Sequence, residues 1–416
     1  MRLMVYSHDG FGLGNIRRML AICEHLLSTL PDLSILLVSG SPMVQGFRLP
    51  VGLDYIKLPC LNRGESGTLA AKYLGTEADE TLHLRADLIL SATIHFKPDL
   101  VLVDKKPYGI KHELKNALDY LQTELPQTKL VLLLRDILDS PETTIADWQT
   151  NGYYEAVQRF YSRVLVVGIP EVFDVCQEYQ FPADIACKTH YCGYIRRPVG
   201  RKSVSRVRRE LNLTSRDRLV LVTPGGGEDG FPLVETYLSG LALFPKAPNF
   251  RSLIICGPEM PDAQKRSLIK MASAYPQVQM GEFTDDLMSY LAVADVTVSM
   301  GGYNTVCEIL SASKRAVVIP RYKPSQEQLI RAVRMTRLGL FKAIHPERLT
   351  PRSLMRTLLL QLTRDRMAPR LSLDLNALPR ITYHIAQLLQ PHKQTSNIAY
   401  LAQKAVENGQ LVAIGQ

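Results

Sequence analysis

Short apolar runs recur along this chain, each stopped by glycine, serine, aspartate or proline, with helix-periodic stretches between them. In the first half the runs are RLMVYS (2–7), LSILLVSG (33–40), LDYIKLP (53–59), DLVLVD (99–104), KLVLLLR (129–135) and RVLVVG (163–168). They are near-continuous in Val, Leu and Ile, the pattern of parallel strands covered on both faces. Stretches such as IRRMLAICEHLLSTL and GIKHELKNALDYLQTEL space their apolar residues three and four apart and predict the covering helices. A second series follows: RLVLVTPGG (218–226), SLIICGP (252–258), VQMGEF (278–283), DVTVSMGG (295–302) and RAVVIPR (315–321). Between 195 and 217 the rhythm breaks into a stretch rich in Pro, Gly, Arg and Ser.

This pattern predicts an α/β protein of two tandem doubly wound, Rossmann-like domains. The first spans 1–195, a basic linker 196–217, and the second domain 218–375. A last amphipathic helix over 376–392 is expected to pack back on the first domain, ahead of a polar tail at 393–416. Two such domains are expected to face one another across an interdomain cleft, with ligands at the carboxyl ends of the strands. A length of 416 residues, too long for one typical core, agrees.

Composition narrows the class. Apolar residues make up 46% and charged residues 21%, ordinary for a soluble globular protein. Seven cysteines without a C-x-x-C pair point to a reducing compartment. CKTHYC (Cys187, His190, Cys192) lacks a fourth ligand, so no metal site is expected there. No apolar run is long enough for a membrane span and the chain opens on a strand, so a cytoplasmic location is expected. The formal charge of +9 is uneven: residues 1–200 hold 20 basic and 23 acidic groups, and the remainder is strongly basic. RRPVGRKSVSRVRRELNLTSRDR (196–218) is either a solvated face or an attraction to a phosphorylated ligand or an anionic membrane surface. No aromatic-interleaved or zinc-finger pattern accompanies it, so nucleic acid is not an expected partner.

The candidate chemistry lies in the loops after the strands. In HDGFGLGN (8–15), Gly10, Gly12 and Gly14 precede a helix. A dinucleotide fingerprint would need glycine at Arg17 and an acidic residue where Ser39-Gly40 stand, and no G-K-[ST] follows for a Walker loop. What remains is a set of backbone N–H groups and a helix N-terminus able to hold an anion or polar group, or a plain tight turn. The second domain has TPGGGEDG with Gly225, Gly226 and Gly227, then SMGGYNTVCEIL with Gly301 and Gly302. Asn304 or Thr305 is expected to cap the latter helix, and Thr305 and Glu308 share a face, so that Glu308 suits a vicinal diol or simply the helix dipole. Gln326, Glu327 and Gln328 crowd the start of the next helix, as hydroxyl ligands or as a polar first turn.

With PGGG, the segment GEFTDDLMSYLAVADVTVSMGGYNTVCEILSASKRAVVIPR and the following SQEQ, the second domain resembles the donor-binding domain of GT-B glycosyltransferases. The likeness is to the MurG-like group, which uses UDP-N-acetylglucosamine, and it covers about 110 residues well. It implies a nucleotide-sugar donor, a UDP-sugar, with an acceptor left unidentified, and sugar transfer with inversion and without a metal or other cofactor. No D-x-D motif occurs. The resemblance places Gly225, Gly226 and Gly227 at the diphosphate, Phe283 where the backbone holds the base, and Gly301, Gly302 and Thr305 in the phosphate pocket. Glu308 then meets the ribose, and Glu327 and Gln328 the transferred sugar.

One departure concerns the proton. Related proteins often place histidine at the start of the first helix, where this chain has Asn15, which has no usable basicity. His8 and Asp9 stand nearest as bases, and Asp104 and Asp136 end other strands, as acceptor-side groups or as turn residues. His8 also fits a structural or acceptor-contacting role. CLNRGESGTLAAKYLGT (60–76) reads as a long polar loop near the acceptor. A nucleotide-sugar 2-epimerase or hydrolase on the same plan, and a catalytically silent sugar-nucleotide-binding protein, stay open. Peripheral contact with the inner face of the membrane stays open too.

Overall fold

The computed structural model describes residues 1–8, 14–63, 69–244, 248–363 and 373–389. The polar tail expected at 393–416 lies outside the described residues. The chain divides into two compact units, Met1–Ile195 with the segment from Asn376 onward, and Arg196–Leu375.

Unit 1 runs β1 (Arg2–Ser7), α1 (Gly14–Thr29), β2 (Ser34–Ser39), β3 (Leu53–Lys57), β4 (Leu61–Arg63), β5 (Leu69–Ala71), α2 (Ala78–Phe96), β6 (Leu100–Asp104) and α3 (Lys115–Glu124). It continues through β7 (Lys129–Arg135), α4 (Pro141–Thr150), α5 (Tyr153–Phe160), β8 (Arg163–Val167), α6 (Val175–Glu178), α7 (Ala183–Ala186) and β9 (Thr189–Tyr191). The seven-stranded sheet has the order β3-β2-β1-β6-β7-β8-β9. Its strands pair in parallel, and the chain reverses its direction of winding between β1 and β6. The polar run at 60–76 is not simply a loop: β4 and β5 form an antiparallel pair within it, Leu61 opposite Ala71.

Unit 2 holds α8 (Val204–Glu210), β10 (Leu219–Thr223), α9 (Phe231–Leu241), β11 (Arg251–Ile255), α10 (Asp262–Ala272), β12 (Val278–Gly281), α11 (Leu287–Val293) and β13 (Val296–Ser299). After these come α12 (Tyr303–Ser311), β14 (Arg315–Val318), α13 (Glu327–Arg337), β15 (Lys342–Ala343) and α14 (Pro351–Thr363). The order β12-β11-β10-β13-β14-β15 reverses between β10 and β13. Its core joins Val220, Val222, Val296, Val298 and Val317 of the sheet to Leu233, Tyr237, Leu238 and Leu358 of the helices. The basic stretch after Arg196 is tied to this unit by backbone: Arg201 N–H donates to the buried Asp286 carboxylate (3.2 Å) and Lys202 N–H to Ser289 Oγ (2.9 Å).

The chain then returns to unit 1 as α15 (Ala377–Leu389), which packs on α1. Three histidines mark its seat. His25 meets Thr382 at 2.9 Å, and His384 Nδ1 accepts from Arg163 (2.8 Å) while its ring lies tilted against that of His190, centroids 4.5 Å apart. Burial lowers the pKa of all three, and His190, Arg163 and Arg380 help push His384 down to about 4. A base held neutral by the fold stabilises it fully above its unfolded value of about 6.5, and that stability is lost as the pH falls through 6.5 toward 4. For His384 the loss is about 1–2 kcal/mol once solvent screening of a half-buried site is included. Urea melts read at Trp148, the sole tryptophan and a core residue of this unit, are expected to show it, and His384→Gln to flatten the slope.

Candidate active site

In unit 2 the ends of β10 and β13 lie side by side, Thr223 opposite Ser299, at the point where the winding reverses. The loop after β10 is pressed against the loop after β11. Glu259 N–H donates to Gly226 O (2.8 Å), and a Cβ on Gly227 would stand 2.3 Å from Cys256 O. Gly227 has φ +98° and Gly257 φ +92°, so both loops need glycine for conformation as well as for space. After β13, Gly301 (φ +76°) turns the chain and Gly302, not Asn304 or Thr305, caps α12. Helix α12 therefore begins just past the end of β13, the strand that pairs with β10, with the positive end of its dipole at Gly302.

Asn304 has a different task from capping: its Oδ1 accepts from Arg197 Nη2 at 2.5 Å. Arg197 is 8% exposed, its backbone N–H is fixed to Ser311 Oγ at 2.9 Å, and its Nε has no hydrogen-bond partner among the described residues. A guanidinium thus sits at the N-terminal turn of α12 and adds to its positive end. Thr305 is half-buried and Glu308, one turn deeper on the same face, is 2% exposed. At the end of β12, Phe283 is exposed, while Gly257 N–H donates to the preceding Glu282 O. Glu327 opens α13 with Gln326 as its N-cap residue, and Gln328 Oε1 accepts from Arg321 N–H (3.1 Å) with its Nε2 facing Gly302. Within this unit, then, the glycine loops, Thr305, Glu308 and Gln326–Gln328 gather at the carboxyl edge of one sheet.

In unit 1 the corresponding edge lies beside β1 and β6. His8 follows β1, and its Nδ1 is buried with no hydrogen-bond partner among the described residues. Burial, then the charges of Lys105, Lys106, Arg135 and Arg85, push its pKa well below the usual imidazole value, so the ring is neutral. Asn15 Nδ2 donates to His8 O at 2.6 Å, which fixes the backbone of the histidine to the first turn of α1, where Gly14 begins the helix. Asp104 is committed to an ion pair with the buried Arg18 (2.7 Å). Asp136 accepts from Tyr194 Oη (2.9 Å) and from Ile137 N–H (2.9 Å). Asp9, Gly10 and Gly12 lie outside the described residues.

Residues 219–371 match the family model for the glycosyltransferase family 28 C-terminal domain. The matched stretch makes up most of unit 2. The chain is 27% identical over 200 residues to an uncharacterised glycosyltransferase of Methanopyrus kandleri, 47% of this chain and 53% of that protein. Over 122 residues it is 30% identical to the UDP-N-acetylglucosamine–N-acetylmuramyl-(pentapeptide) pyrophosphoryl-undecaprenol N-acetylglucosamine transferase of Haemophilus influenzae. That match covers 29% of this chain and 34% of the transferase, so the chain spans about half of the first relative and a third of the second. Among solved structures, MurG of Acinetobacter baumannii superposes with a TM-score of 0.56 at 16% identity, over 97% of this chain and 98% of that one. The fold is GT-B, with two Rossmann-like halves.

Two residues of unit 2 escaped sequence reasoning. Arg197 lies in a basic run that reads as a solvated face, and only the fold brings it to Asn304. Arg331 sits inside α13 with no exposed surface, its Nη2 2.9 Å from Glu327 Oε1. Its one sequence signal is the i, i+4 spacing from Glu327.

Proposed function

We propose that the protein is a glycosyltransferase that moves a sugar from a UDP-sugar to a hydroxyl of an acceptor, with inversion and without a metal. The observation that carries this reading is the gathering, at the carboxyl edge of the unit 2 sheet, of the Gly225–Gly227 loop, the N-terminus of α12 and the side chains of Arg197, Glu308 and Glu327. Backbone N–H groups, the helix end and the guanidinium suit a diphosphate and stabilise it as it leaves. Glu308, an acceptor of two hydrogen bonds, takes the ribose hydroxyls, and Phe283 marks the base end. Glu327 and Gln328 meet the sugar.

In the transfer step the acceptor oxygen bonds to the anomeric carbon as the bond to the diphosphate oxygen breaks. The acceptor proton goes to the neutral imidazole of His8 in unit 1. Asn15 holds that histidine instead of replacing it, which accounts for an amide where related proteins often have a base. The basic charge beyond residue 200 supports peripheral contact with an anionic membrane surface on the cytoplasmic side. No described helix is long and apolar enough to cross a membrane.

A thermal-shift panel of nucleotides and nucleotide sugars tests the donor site. UDP and at least one UDP-sugar are expected to raise the melting temperature, and Arg197→Ala to weaken UDP about tenfold through loss of a charge-assisted contact. Silence across the whole panel would remove the reading. Loss of sugar from the donor with no acceptor present, beyond slow background hydrolysis, favours the epimerase or hydrolase alternative.

A further inference from the structure

Among the described residues, three arginines are at most 1% exposed: Arg18, Arg85 and Arg331. A buried guanidinium is costly unless it is paired, and a hydrophobic side chain of similar volume would serve packing as well or better. Arg18 and Arg85 face Asp104 and Glu113, carboxylates with no exposed side-chain surface, so those pairs are closed inside unit 1. Arg331 differs. Its partner Glu327 keeps 12% of its side chain exposed, at the first turn of α13. The other side of the guanidinium lies over the ring of Tyr303, 5.6 Å from its centroid, and Tyr303 is the first residue of α12 after Gly301-Gly302. One buried cation thus ties the carboxylate at the sugar end of the site to the loop at its phosphate end.

We propose that Arg331 is a positioning residue that fixes Glu327 as a hydrogen-bond acceptor for the hydroxyls of the donor sugar, so that recognition of the sugar, and not of the nucleotide, depends on Arg331. This rests on the donor reading above. An ionised carboxylate is acceptor-only, which suits hydroxyl groups, and a fork-shaped guanidinium holds it in one orientation where a lysine leaves it freer. Phe283, proposed at the base, lies on another element, just past β12.

The test is calorimetric titration of wild type, Arg331→Met, Arg331→Lys and Glu327→Gln with UDP, UDP-N-acetylglucosamine and UDP-glucose. Arg331→Met is expected to weaken whichever UDP-sugar binds wild type by about tenfold or more while UDP moves less than about twofold. Arg331→Lys should recover part of the loss, and Glu327→Gln should reproduce its sugar selectivity. Should Arg331→Met fail to fold, the lysine variant carries the comparison, with a smaller loss confined to the UDP-sugar. Equal weakening of UDP and UDP-sugar, or no change in either, overturns the proposal and leaves the donor site standing. Wild type that binds neither UDP nor a UDP-sugar overturns the donor reading itself.

Discussion

Replacing His8 with glutamine is expected to lower kcat by about 10²–10⁴-fold, the usual contribution of a positioned general base. Glutamine keeps a polar side chain of similar reach but cannot take a proton. The affinity for UDP and the UDP-sugar should hold, since the groups proposed to bind them belong to unit 2. The acid limb of the wild-type pH–rate profile carries a second sign of the same group. Burial and four neighbouring cations lower the His8 pKa, so the imidazole stays unprotonated below its ordinary value of about 6.5. Activity should therefore persist as the pH falls through about 6.5 and fail only further down. Asn15→Ala is expected to act more weakly, by releasing the His8 carbonyl that its amide holds. Unchanged kcat in His8→Gln, with unchanged acceptor KM, transfers the role to another group, Asp9 first.

The second large effect is on stability. Glu113→Ala is expected to cost about 3–5 kcal/mol in unit 1, the loss found when one partner of a buried ion pair is removed. Glu113 accepts from Arg85 through both oxygens (2.6 and 2.7 Å) and from Tyr6 Oη (2.6 Å). Arg85 also donates to Pro59 O at 2.6 Å, and Ile110 N–H donates to Tyr6 Oη at 3.0 Å. This network joins β1, α2 and the approach to α3 in a region without solvent, so removal of the carboxylate strands a guanidinium that has nowhere to turn. Paired replacement, Arg85→Met with Glu113→Leu, should lose much less than Glu113→Ala alone, because no charge is left unpaired. Denaturant melts followed at Trp148 measure both.

Apart from the short edge strands β9 and β15, which are not apolar runs, the strands of both sheets were legible because parallel strands buried on two faces are written as continuous apolar runs; Met4, Val5, Leu102 and Leu132 are all effectively without exposure. The glycine loops were legible as loops. Their interlocking was not: that Gly227 abuts Cys256 O follows from strand order, which periodicity does not encode. Capping by Gly302 was missed because Asn and Thr are the stronger local signals, while Asn304 was claimed by Arg197, 107 residues away. The Tyr6–Glu113–Arg85 network was invisible for the same reason: its members are polar residues in unremarkable local surroundings, brought together only by the sheet. The antiparallel pair of β4 and β5 was hidden by strands of three residues each, too short for alternation to register.

The central claim, transfer of a sugar from a UDP-sugar to an acceptor, is tested most directly by mass spectrometry of a host extract incubated with the protein and UDP-sugars. The account predicts a product heavier than an extract component by one sugar residue, with stoichiometric UDP, and its absence with His8→Gln. Tight UDP-sugar binding with no such product, or release of free or epimerised sugar with no acceptor modified, would contradict it.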